Sequence, residues 1–99
     1  IIEINLNDNC LASIKENYFS SVKNLSYLYL NHNMIKRINQ KAFYFLENLL
    51  ELDLSFNLIS FLPEKTFDGL ESLQILILSN NLIKNFNIYL LENLDTLDI

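Results

Sequence analysis

Cys10, His32 and Asp8 are the residue types in this chain that could act together as thiol, imidazole and carboxylate, the set a nucleophilic mechanism needs. Their positions argue against it. Cys10 follows an Asn that ends an apolar segment, whereas His32 precedes the equivalent Asn one step later, so the side chains need not converge, and no oxyanion-binding motif accompanies them. A single His excludes a multi-His metal site, a single Cys excludes an internal disulfide, and a single Gly excludes a phosphate-cradling loop. The reading is therefore non-enzymatic, with no catalytic residue, no metal and no cofactor. Seven basic against twelve acidic residues, a net charge of -5, further disfavour nucleic acid and anionic membrane surfaces as partners. No apolar run reaches the length of a membrane span, so membrane contact is expected only through segments outside these residues.

The remaining polar residues are ordered by a repeat. Among 21 Leu, 12 Ile and 15 Asn, four residues, Asn9, Asn33, Asn57 and Asn81, are spaced by 24, and each follows a Leu by three. Numbered from residue 1, apolar side chains recur at repeat positions 1, 4, 6, 11, 14, 19 and 22. The copies run 1–24, 25–48, 49–72 and 73–93, with a partial fifth at 94–99; the fourth is three residues short, so that Ile88 and Leu91 come early. Two-residue alternation over positions 3 to 6 predicts one short strand per copy, with positions 4 and 6 inward and 3 and 5 outward. The Asn at position 9 turns the chain, since its amide both donates and accepts, and Phe19, Phe43 and Phe67 predict an aromatic spine broken at Ile88. Neither end carries a polar or disulfide-bonded cap, leaving Ile1, Ile4, Leu97 and Ile99 at open edges, which predicts an excerpt of a longer solenoid.

Leu28-Tyr29-Leu30-Asn31-His32-Asn33-Met34-Ile35 and Leu52-Asp53-Leu54-Ser55-Phe56-Asn57-Leu58-Ile59 resemble leucine-rich repeats, and the likeness spans all 99 residues. The 24-residue length with Phe at position 19 is similar to the subclass of Toll-type receptors and insect immune repeat proteins. The resemblance implies an α/β solenoid: a right-handed superhelix with a parallel concave sheet and a largely irregular convex side. It also implies a secreted or cell-surface ectodomain that binds a protein ligand on its concave face, with innate immunity as the context. A structural or adhesion scaffold working through its lateral edges, or an intracellular regulator, are the alternatives, and oligomerisation is compatible with each.

On the strand face the charges have one sign: Glu3, Asp8, Glu51, Asp53, Asp95 and Asp98, with no Lys or Arg. Interleaved are Asn5, Tyr27, Tyr29, His32, Phe56, Ile75 and Ile77. Acids beside exposed aromatics predict a basic protein ligand. Cys10, Met34, Leu58 and Leu82 share position 10 and are expected to lie partly under neighbouring loops. Asn24-Leu25-Ser26 is a glycosylation sequon, with Asn24 as its acceptor.

Overall fold

The computed structural model describes residues 2–91. Strands β1 (Ile2–Asn5), β3 (Leu25–Tyr29), β5 (Glu51–Asp53) and β6 (Ile75–Ile77) form a parallel sheet in that order. Two shorter strands, β2 (Ser13–Ile14) and β4 (Arg37–Ile38), pair in parallel on the flank that follows the turn. The expectations for Ile1, Leu97 and Ile99 as edge residues, and for Asp95 and Asp98 on the strand face, lie outside the described residues.

The pairing register carries the repeat into space. Tyr27 lies opposite Glu51 and Glu51 opposite Ile75, each step being 24 residues. Inward residues accordingly stack on their counterparts: Leu25, Leu28, Leu30, Ile35 and Leu49, Leu52, Leu54, Ile59 are fully buried. The first and fourth copies bury less. Ile4, Leu6 and Leu11 on one side and Leu78, Ile83 and Phe86 on the other are half-buried, because each lacks one neighbouring coil among the described residues.

Between strands the described residues form turns and irregular segments. The α/β class is corrected to a β-solenoid: among the described residues the only helix is a four-residue 3-10 turn, Ile88–Leu91. The reason is the spacing of the inward residues on the convex side. Phe19, Val22 and Leu25 are three apart, as are Phe43, Leu46 and Leu49, and Phe67, Leu70 and Leu73. Each consecutive pair is closed by an amide donating three residues back, at 3.1–3.5 Å. A three-residue period eclipses side chains at i and i+3, so all three point into the core. An α-helix of the same length would rotate the third away. Phe19 and Phe43 stack with ring centroids 6.4 Å apart, and Phe67 is buried beyond them, although among the described residues no ring stack joins it to Phe43. Ile88 is 72% exposed, so the shortened fourth copy leaves the spine at that point.

Candidate functional site

Two rows of side chains stand on the open face of the sheet. One is Glu3, Tyr27, Glu51, Ile75 and the other Asn5, Tyr29, Asp53, Ile77, each member opposite the next through strand pairing. A third row, Asp8, His32, Phe56 and Asn80, crowns the turn. Glu3, Asn5, His32 and Phe56 are exposed, Ile75 is 37% exposed, and Tyr27, Tyr29, Glu51, Asp53 and Ile77 are half-buried against one another. The face brings the candidate residues together as an ordered strip of acids, aromatics and aliphatics. Among the described residues no cluster of His, Cys, Asp or Glu is placed to hold a metal, and no helix is long and apolar enough to cross a membrane.

Within the strip, partners are specific. The Tyr29 phenol is pushed up to about 12, first by hydrogen bonding to the Glu51 carboxylate, then by lost solvation and the charges of Glu51 and Glu3. His32 lies flat on Phe56, ring centroids 4.3 Å apart and planes 9° apart. Two residues also shape the backbone. Asp53 accepts from the amide and the hydroxyl of Ser55, at 2.9 and 2.6 Å, and Asn5 accepts from the amide of Asn7 at 3.1 Å. Sequence reasoning assigned Asp53 and Asn5 to ligand contact alone; their position just before the turn is the signal for this second role.

The crown row holds an unusual conformation. Asp8, His32, Phe56 and Asn80 all have φ near +55°, a left-handed region that Asp and Asn tolerate and His and Phe adopt at a cost. Nothing in the letters of His32 or Phe56 announces it. The turn is held because His32 and Phe56 donate their amides to Ser55 and Ser79 of the following coil, and because the next residue is the ladder Asn.

That ladder links coils. The Asn57 amide donates to the Leu30 carbonyl of the coil before (3.0 Å) and to Leu54 and Ser55 of its own, while its oxygen accepts from Ile35 (3.0 Å). Asn33 and Asn81 repeat the pattern, whereas Asn9 reaches only Leu6 and Asn7 within its own coil. Position 10 departs from expectation. Met34 and Leu82 are 52% and 55% exposed, Cys10 is exposed, and only Leu58 is half-buried, so the apolar strip borders solvent. Asn24 is exposed in the loop that precedes β3.

The profile of a family described as "Leucine rich repeat" matches residues 2–59, 23–83 and 47–99. No curated protein matches the chain, but 41 solved chains do. One, the crystal structure of a TLR13-ssRNA13 complex, is 36% identical with a TM-score of 0.83, covering 87% of this chain and 12% of that chain. This finding overturns the exclusion of nucleic acid that was drawn from net charge: a related solenoid is held in a complex with ssRNA. The physical fault lies in averaging. A value of -5 describes the whole chain, whereas a ligand meets the local field, and here Glu51 and Asp53 stand on the sheet face while Arg37 stands on the flank strand β4.

Proposed function

The chain belongs to the leucine-rich-repeat family, a non-catalytic class of protein-interaction domain, and from that premise we propose that it is a recognition module that binds a protein ligand on its concave sheet face. The observation that supports this reading is the matched height of Tyr29, Asp53 and Ile77 on three adjacent strands, which offers aromatic, charged and aliphatic contacts on a rigid support. The proposal extends to a 24-residue extracellular subclass akin to insect immune repeats, in a secreted or surface ectodomain. In that setting Asn24 carries an N-linked glycan, and a glycosidase-dependent mass shift of secreted material tests it.

The face is tested by surface-immobilising the chain, capturing ligand from a panel of secreted proteins, and repeating the titration with variants. Tyr29→Ala and Ile77→Ser should each weaken binding about tenfold or more, as truncation of an interface anchor does, with urea unfolding showing that both variants remain folded under the titration conditions. Asp53→Asn is the suitable change at position 53, because it removes the charge and keeps an oxygen for Ser55. Wild-type affinity in all three would assign binding to the lateral edges, as the adhesion-scaffold alternative requires. A second reading, single-stranded RNA as ligand, is favoured by the likeness to the TLR13-ssRNA13 complex.

A further inference from the structure

Residues 10–15, 34–39, 58–63 and 82–87 are the same six positions of successive coils, and they hold Lys15, Lys36, Arg37 and Lys84 with no Asp or Glu. Backbone bonds keep these segments side by side: Met34 donates to Leu11, Leu58 to Ile35 and Leu82 to Ile59, at 2.8–2.9 Å, and β2 pairs with β4 with Ser13 opposite Arg37. Lys36, Ser60 and Lys84 therefore occupy one height on three coils, which places the two lysine backbones about 10 Å apart at roughly 4.8 Å per coil. Across the turn, the described acids of the sheet face, Glu3, Asp8, Glu51 and Asp53, stand without a cation. The molecule carries opposite fields on adjoining faces.

Phe61 rises from the positive flank. It is 71% exposed, although large aromatics are normally covered, and it lines an open groove of about 510 Å³ with Lys36, Arg37, Ser60 and Pro63. Its other side borders a smaller groove of about 180 Å³ that includes Asn85 and the one nearby carboxylate, Glu64. The ring thus stands beside a guanidinium and an ammonium on one side.

We propose that this flank, and not the concave face, is the docking surface for a single-stranded nucleic acid: Lys36, Arg37 and Lys84 take phosphates, and Phe61 with the plane of Arg37 stacks a base. The inference rests on the single-stranded RNA reading above and assigns it a location. An acidic protein segment would match the charge. A cation repeated at a fixed step beside an open aromatic face fits a polymer that alternates phosphates with flat bases.

The test is fluorescence anisotropy of a labelled, mixed-sequence RNA oligonucleotide titrated with the 99-residue chain at two salt concentrations. The double variant Lys36→Glu/Arg37→Glu should lower affinity at least about tenfold and flatten the salt dependence by about 1.4 in log K against log salt, at roughly 0.7 per phosphate contact. Phe61→Ala should cost roughly fivefold or more without changing the salt slope. All three side chains are exposed, so the fold is not at stake, and Glu51→Gln on the concave face should leave affinity unchanged. RNA binding that ignores the flank variants and responds to Glu51 overturns the location while leaving the RNA reading in place. Absence of RNA binding overturns both, and competition by poly-glutamate as effective as by RNA overturns the nucleic-acid assignment in favour of an acidic protein.

Discussion

Asn57→Ala is expected to cost about 3–5 kcal/mol of folding stability, against roughly 0.5 kcal/mol for the same change at Asn9. Both residues hold the same place in the repeat, so propensity and turn type cancel in the comparison. What differs is the neighbouring coil. Asn57 is 5% exposed and joins two coils, accepting from the buried Ile35 amide and donating to Leu30; Asn9 is exposed and bonds only to its own coil. Removing Asn57 leaves the Leu30 and Leu54 carbonyls with the amides of Asn33 and Asn81 respectively, so they are not orphaned. The Ile35 amide is orphaned, and an unsatisfied buried donor costs about 1–3 kcal/mol before the lost donor bonds are counted. On a domain stability of about 5–15 kcal/mol this is a large fraction. Urea unfolding with a common m-value is the measurement, and equal losses at the two positions would show that the link between coils is not the source. Asn57→Asp sharpens it. A carboxylate there would face three carbonyl oxygens, so its pKa would rise above the unfolded value, and stability should be greatest below about pH 4 and fall as pH increases through the raised pKa.

The Asn ladder was legible because it depends on spacing alone: a residue that can donate and accept, set every 24 positions after a Leu, is recognisable without coordinates. The rows of the sheet face follow from the same count, which is why Tyr29, Asp53 and Ile77 were placed side by side by arithmetic. The fold class was legible in principle and misnamed. Phe43, Leu46 and Leu49 show a three-residue period in the letters, which i to i+3 turns meet, but the α/β class implied by the resemblance left that period out of account. The left-handed crown at His32 and Phe56 had no signal, since the conformation is imposed by bonds to Ser55 and Ser79 of the next coil and not by the residues that adopt it. Charge was legible residue by residue and lost when summed: Arg37 and Asp53 cancel in a net value, yet they face different solvent. Phe61 was passed over for a related reason, because an aromatic at position 13 of one copy breaks no periodic rule.

Gly69→Ala is expected to destabilise the chain by about 3–5 kcal/mol, although it adds only one methyl group. Gly69 is the one glycine in the sequence, and its counterparts one and two coils earlier are Phe45 and Ser21, so the repeat itself does not require it. The requirement is local. Its φ is +88°, and a Cβ would lie 2.2 Å from the Tyr44 carbonyl oxygen, 2.8 Å from the carbonyl carbon and 2.9 Å from Cα. These are backbone atoms, so no rotamer change relieves the contact; the third coil must move off the second. That movement opens the convex side where Phe43 and Leu46 lie in the same core as Phe67 and Leu70. It adds lost packing to the strain of the left-handed backbone. Gly69→Asn separates the two contributions, because Asn tolerates positive φ and still carries a Cβ. If the close approach to Tyr44 dominates, Asn should be no better than Ala in urea unfolding; if the backbone angle dominates, Asn should recover most of the loss. The consequence reaches the open face of the sheet, since the two coils that separate are those whose strands set Tyr29 opposite Asp53. Destabilisation below about 1 kcal/mol for Gly69→Ala would mean that the coils are not pressed together at Tyr44 and that their strand register is held from the sheet side alone.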